Sequence, residues 1–425
     1  MADDCKKILM VLYYFPPAAS GGTYRPLKFI RYLNEFGYQC VIIAPTRCRY
    51  ESQDHSLLSE IPYGTEIIRV SPGVEESWHY HLLRKLGLGE LYEQNLIPDR
   101  HIGFAHNAIE AAKQRMTRGD INLVFTSATP NSVHIAGREI SKHSGLKWIA
   151  DFRDPWIADP FYKSANSDRD KKNREIERSY FEQADAVISF PEFRADIERK
   201  RYPEFAQKII SIDNGFDPVD FPSGQIIPEA GKFTISHVGA ITRDRPVTSF
   251  LESLSKVLES DSDLKKMVNL EFYGDSRPPT PDDISRLNLS DITHFNGYVP
   301  HSDACIAMAQ SILLFMVLPD RDGAEGIMPL RLFEYIYANR PVFLVAPQGE
   351  ASRFLAETNS GVWVKNTDQN EITSRLKSIL ENIKSGSYKH TPNLEPLKKF
   401  ERRNLTRKLA KLFDSLLEGG DVNAR

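Results

Sequence analysis

Cysteine is scarce in this chain. Its four thiols, Cys5, Cys40, Cys48 and Cys305, lie scattered over 425 residues. That distribution shows neither a disulfide frame nor paired metal-ligand spacing, and reduced thiols in a cytoplasmic protein are the expectation. Long apolar runs are missing too. Runs such as residues 312–318 fall far short of the ~18 residues that a spanning helix needs. No secretory leader opens the sequence. Membrane association is therefore expected to be peripheral at most, at the inner face of the membrane. Neither sign of charge dominates: 54 Lys and Arg against 57 Asp and Glu leave a net charge of −3. Without a polybasic footprint, nucleic acid is excluded as the principal partner, and any phosphate must be gripped locally.

What is present is the composition of a packed globular protein, 41% hydrophobic and 26% charged, long enough for two domains. Short β-branched and aliphatic runs alternate with amphipathic stretches of helical length, the pattern of a parallel sheet with helices on both faces. The fold class is α/β. Strands are expected at 7–13, 39–44, 65–70, 122–126, 147–150, 186–189 and 208–211. A turn-rich stretch at 213–231, dense in Gly, Pro and Asp, then interrupts the pattern. The alternation restarts with strands at 233–238, 268–273, 292–295, 312–317 and 341–345. We therefore expect two doubly wound domains, 1–222 and 223–395, and a terminal helical segment at 396–425 that packs back toward the first. Ligands of open α/β sheets bind at the strands' carboxyl ends, which makes a cleft between the domains the expected site.

The first strand runs into Tyr13-Tyr-Phe-Pro-Pro-Ala-Ala-Ser-Gly-Gly22 and a helix carrying Arg25 and Lys28. Gly21 and Gly22 permit close backbone approach, and helix-start amides favour an anion. The same residues equally describe a plain strand-to-helix turn. There is no G-x-G-x-x-G, which weakens a nicotinamide-dependent oxidoreductase.

With these residues the chain resembles glycosyltransferase family 4, retaining enzymes with the two-domain GT-B fold. Four blocks carry the likeness in order along nearly the whole sequence: Phe15-Pro-Pro with Gly21-Gly22 and Arg25; Thr126-Ser-Ala-Thr-Pro-Asn-Ser-Val-His134 leading to Trp148-Ile-Ala-Asp-Phe-Arg-Asp-Pro-Trp156; Asn214-Gly-Phe-Asp217; and Pro329-Leu-Arg-Leu-Phe-Glu-Tyr335 followed by Asn339-Arg-Pro-Val342. The resemblance implies sugar transfer from a nucleotide-diphosphate donor, UDP rather than GDP, to a glycan or lipid-linked acceptor in surface-polysaccharide assembly. It implies no cofactor and no metal, because basic side chains and a helix N-terminus hold the diphosphate.

On that reading Gly239 ends the first strand of the second domain, and Arg245 falls where the family has its phosphate lysine. Ala240 stands where an arginine is usual, and Arg243 is the substitute. The second acid of the family's E-x7-E element is Glu334. Its partner position holds Gly326, with Glu325 one residue out of register. Backbone amides of Gly326, Ile327 and Met328 and the side chain of Arg331 are further donor-binding candidates. In the first domain His134 is a candidate contact to donor sugar or acceptor, or else a satisfied structural histidine. Asp154 is a candidate to orient or deprotonate the acceptor hydroxyl; the alternative is an ion pair of Asp151 or Asp154 with Arg153 that braces the loop. Asp320-Arg-Asp322 imitates a metal-binding D-x-D, but lies too late in the chain. The stretch from Trp78 to Leu88 mixes aromatic, basic and aliphatic residues, and either packs on its own domain or lies on a membrane. A nucleotide-sugar epimerase and a non-catalytic binding module are the remaining alternatives.

Overall fold

The computed structural model describes residues 5–47, 52–93, 95–157, 162, 167–224, 226, 228–229, 231–241, 247–275 and 279–420. The chain forms two compact units, Met1–Asn214 with Arg402–Arg425, and Gly215–Glu401.

The first unit is built on seven parallel strands: β1 (Lys6–Leu12), β2 (Tyr38–Pro45), β3 (Glu66–Val70), β4 (Ile121–Ala128), β5 (Lys147–Phe152), β6 (Ala186–Ser189) and β7 (Ile209–Ser211). They pair in the order β3-β2-β1-β4-β5-β6-β7. Alternation along β1 explains the two-faced core. Leu9 and Val11 join one apolar cluster, while Ile8, Met10 and Leu12 join the cluster on the opposite face, as a strand with period two requires. The major helices are α1 (Gly21–Leu33), α2 (Trp78–Lys85), α3 (Ile102–Met116), α4 (Ser132–Ser144), α5 (Ser167–Gln183) and α6 (Glu192–Arg201). Residues of α3, α4, α5 and α6 cover the first face, and α1 covers the second.

The second unit repeats the plan with β8 (Phe233–Val238), β9 (Val268–Tyr273), β10 (Thr293–Gly297), β11 (Leu313–Val317), β12 (Val342–Val345) and β13 (Gly361–Val364). The order is β10-β9-β8-β11-β12-β13, the arrangement of a dinucleotide-binding sheet whose direction of winding reverses between β8 and β11. β13 is a strand that sequence patterning does not show. Only four residues long, it begins on a glycine and carries no repeat of its own. Helices α7 (Thr248–Ser260), α8 (His301–Gln310), α9 (Leu330–Tyr337), α10 (Glu350–Glu357) and α11 (Gln369–Lys384) flank this sheet.

The terminal helical segment expected at 396–425 is, among the described residues, two pieces, a 3-10 turn at Glu395–Phe400 and α12 at Arg402–Leu417. Glu401 between them is extended because its backbone bridges to Phe216. α12 belongs to the first unit. Its Leu405, Leu409 and Phe413 enter the α1 face of the core, and Asp414 accepts a 2.5 Å hydrogen bond from the Tyr38 hydroxyl. Among the described residues, no helix is long and apolar enough to cross a membrane.

Candidate functional site

The second unit opens between β8 and β11. Their ladder holds only Ile235 to Leu313 and Ser236 to Leu314, and beyond Ser236 side chains take over. The His237 Nδ1 lies 3.1 Å from the Phe315 carbonyl. The Tyr335 hydroxyl, reaching up from α9, accepts from the Val238 N–H at 2.7 Å and donates to the Val238 carbonyl at 3.1 Å. Burial pushes this phenol well above its ordinary pKa, so it stays protonated and can serve both groups. A separation of this kind at the winding reversal is where open α/β sheets bind ligands.

Two glycines shape the floor. Gly239 has φ +129° and Gly274, at the end of β9, has φ +112°. A Cβ on Gly274 would stand 2.8 Å from the Gly239 carbonyl carbon and oxygen, closer than atoms can approach. Both conformations suit glycine alone. Over this floor lies Arg331, whose Nε would be 3.5 Å from a Cβ at position 239. The structure thus brings together Gly239, Arg331 and Glu334, three of the residues singled out in the sequence. The Arg331 guanidinium reaches Glu334 Oε2 at 3.4 Å and is 31% exposed, whereas Glu334 is buried. Helix α9 starts after Pro329 with no side-chain cap, an end whose amides suit an anion.

Glu334 is held from behind by His301, the first residue of α8, with Nε2 2.9 Å from Oε1. The other ring nitrogen of His301 faces Asp220 at 3.6 Å. Cys305 Sγ lies 3.8 Å from Nε2. His301, Asp220 and Tyr335 are not among the sequence candidates. They come from three separate segments, and no local spacing connects them. Gly326 is buried and closes the 3-10 turn Ala324–Gly326; Ile327 and Met328 follow it, half-buried against the α9 face of the core. The Glu325 side chain is exposed, and its backbone presses against Gly349, where a Cβ would fall 2.1 Å from the Glu325 carbonyl oxygen. Arg243 and Arg245 lie outside the described residues.

In the first unit the strand carboxyl ends carry a second group. Gly21 and Gly22 open α1 after the N-cap Ser20, whose Oγ accepts from the Gly22 N–H at 3.1 Å. A Cβ on Gly22 would meet Arg153 Nη1 at 2.4 Å and the Tyr14 ring at 2.6 Å, so this glycine gives Arg153 its place. Arg153 pairs with the exposed Asp154 at 3.2 Å and donates to Thr129 Oγ1 at 3.0 Å. Asp151 pairs elsewhere. Fully buried, it receives Arg25 through Nε at 3.2 Å and Nη2 at 3.0 Å, and Ser127 at 2.7 Å. Arg25 also donates to the Ile212 carbonyl at 2.9 Å and the Asp213 carbonyl at 2.5 Å, tying the ends of β4, β5 and β7 to α1.

His134 sits apart from these groups, fully buried in the core. Its Nδ1 lies 2.8 Å from Thr126 Oγ1, which also accepts from Trp148 Nε1 at 2.9 Å, and its ring lies 4.4 Å from that of Phe152. Burial drives its pKa down to about 3, so the imidazole is neutral at physiological pH.

Comparison with known proteins agrees with this geometry. Residues 224–389 match the family of glycosyl transferases group 1. No curated protein matches the sequence. Among solved structures the chain is similar to sucrose-phosphate synthase from Thermosynechococcus elongatus, with a TM-score of 0.69, 15% identity, and coverage of 98% of this chain and 100% of the other. It is similar also to a TarM variant from S. aureus, in complex with fondaparinux, α-GlcNAc-glycerol and UDP, at TM-score 0.64 and 10% identity, covering 96% and 100%. A third is a UDP-N-acetylglucosamine 2-epimerase from Listeria monocytogenes, at TM-score 0.58 and 11% identity, covering 98% of each chain. The fold is therefore GT-B, two Rossmann-like domains in tandem.

Proposed function

We propose that this protein is a glycosyltransferase of the retaining, family 4 type, and that its second unit binds a nucleotide-diphosphate sugar. The observation that carries the reading is the grouping of Gly239, Arg331, Glu334 and the uncapped start of α9 at the opening between β8 and β11, inside the segment matching glycosyl transferases group 1. Glu334, an acceptor of two hydroxyl hydrogen bonds when ionised, suits a ribose diol. Arg331 and the α9 amides suit the diphosphate, with Arg243 and Arg245 as further cations.

On this proposal the diphosphate departs toward fixed positive potential, so the leaving group needs no metal. The acceptor hydroxyl attacks the face the leaving group vacates, and a hexosyl residue passes to a glycan or lipid-linked acceptor in surface-polysaccharide assembly. Asp154, exposed at a strand end of the first unit, is the residue we assign to the acceptor hydroxyl. His134, without solvent exposure, is assigned to holding Thr126 and Trp148.

Thermal unfolding with UDP, GDP, their sugars and NAD, each with and without EDTA, tests the donor site, since a ligand specific to the native state raises the midpoint. A shift with a UDP compound that survives EDTA is expected. A shift with NAD alone, or one that EDTA abolishes, would defeat the proposal. The epimerase-like neighbour keeps one competing reading in view, and product analysis separates them: an epimerase converts its nucleotide sugar with no acceptor present.

A further inference from the structure

The segment from Trp78 to Tyr92 has no role in the donor site, yet its surface is unlike the rest of the molecule. Of the thirteen large hydrophobic side chains exposed among the described residues, six fall within it: Trp78, Leu82, Leu86, Leu88, Leu91 and Tyr92. Trp78 is 66%, Leu82 47% and Leu86 62% exposed. The i, i+4 spacing of these three residues lines them along one face of α2 and its C-cap. Tyr80 faces the opposite way. It is buried and donates its hydroxyl to Glu93 in the short helix Gly89–Glu93, and Glu93 in turn lies 3.8 Å from Arg100. The hairpin is thus anchored on one side and apolar on the other.

We propose that this face docks on an anionic lipid surface. The chemistry of the segment selects that occupant. Helix α2 reads WHYHLLRK, with no acidic residue and with Arg84 and Lys85 in its last turn. Lys85 falls on the same side as Trp78 and Leu82. An aromatic that favours the headgroup boundary, aliphatic side chains beside it and adjoining cations are the composition of a helix lying in a membrane interface. Its place in the fold fits a lipid-linked acceptor. The segment follows the carboxyl end of β3, the same edge of the sheet at which β1, β4 and β5 end. Only this link to an acceptor rests on the transferase reading, since binding to vesicles requires no turnover.

The test is co-sedimentation of the full chain with vesicles of phosphatidylcholine alone and of phosphatidylcholine containing about a third phosphatidylglycerol. Binding to the anionic vesicles, weakened by salt, is expected. Lys85→Ala should weaken it about five-fold. The triple change Trp78→Ser, Leu82→Ser, Leu86→Ser should weaken it on the order of ten-fold or more, and circular dichroism and a first-unit melting transition equal to those of the unaltered protein would report an intact fold. Tryptophan emission supplies an independent readout. Trp148 and Trp156 are buried and Trp363 is half-buried, so the blue shift on vesicle binding should come from Trp78 and vanish in Trp78→Phe while binding persists. Equal binding to both vesicle types, no binding to either, or an unaffected triple variant would each overturn the proposal. So would a dimer in solution that the triple change dissolves, because a second copy of the chain would then cover this face. Loss of nucleotide binding with vesicle binding intact would defeat the transferase reading alone.

Discussion

Replacement of Tyr335 by Phe isolates the side chain that takes over from the ladder between β8 and β11. The ring stays in its place among the apolar residues of α9, and only the hydroxyl oxygen is lost. With it go a 2.7 Å bond to the Val238 N–H and a 3.1 Å bond to the Val238 carbonyl, at a point where the β8–β11 ladder has already ended. A buried backbone group left unpaired costs about 1–3 kcal/mol, so the two together should destabilise the second unit by about 2–4 kcal/mol, allowing for partial relaxation. For a unit of this size each kcal/mol lowers the midpoint by roughly 2–4 °C, and a fall of about 4–16 °C in the second unit's transition is expected. Calorimetry on the full chain resolves it, and on the function proposed above UDP identifies the transition of the second unit. Because Val238 leads directly into Gly239, nucleotide affinity should fall with stability. A midpoint within a degree of the unaltered protein would show that water or a strand shift satisfies Val238, and would refute the reasoning.

Other consequences are as direct. Arg331→Ala should weaken UDP binding about 10- to 100-fold, the value of a charge-assisted hydrogen bond of about 1.5–3 kcal/mol, while Arg331→Lys recovers part of it; titration calorimetry with equal affinities for all three proteins would remove Arg331 from the site. Asp151→Asn strands the buried Arg25 and should cost the first unit about 3–5 kcal/mol, read by denaturant unfolding, where a loss below about 1 kcal/mol would contradict that cost. His134 and His101 are both pushed down to about 3 by burial. Between that value and about 6.5 the unfolded chain binds protons that the folded one does not, so stability is lost as pH falls through this window, at about 1.4 kcal/mol per pH unit for each histidine. His390 is likewise lowered, to about 4, so His134→Asn should remove about a third of the histidine part of that slope between about pH 4 and 6.5, and an unchanged slope would mean that the buried ring is already protonated.

Much of the architecture is legible in the sequence, because parallel strands buried on both faces write themselves as short aliphatic runs. The run 8–12 is the clearest example: its odd and even residues feed the two opposite cores. The Gly361–Val364 strand escapes because four residues at a sheet edge, half-buried, carry too little apolar signal. Glu334, Arg331 and Gly239 could be named from a motif. The groups that position them could not. His301 is 33 residues from Glu334, and Tyr335 lies 97 from Val238, separations that only the wound sheet closes. Similarly, the Asp–Arg pair expected within the loop exists for Asp154 and Arg153, but the stronger bond of Asp151 is to Arg25, 126 residues earlier. Hydrophobic period fixes which face a residue takes and says nothing about which distant polar group meets it there.

The passage of the chain out of the first unit at Asn214 and back at Arg402 also bears on how the protein comes into being. Residues 1–214 emerge from the ribosome without α12, leaving Phe29, Leu33, Tyr38 and Phe125 short of their partners Leu405, Leu409 and Phe413. The part of that apolar face which α12 covers must wait while residues 215–401 are made. A chain cut short at residue 401 would keep the second unit whole and leave the first permanently unfinished, without the helix that closes its core.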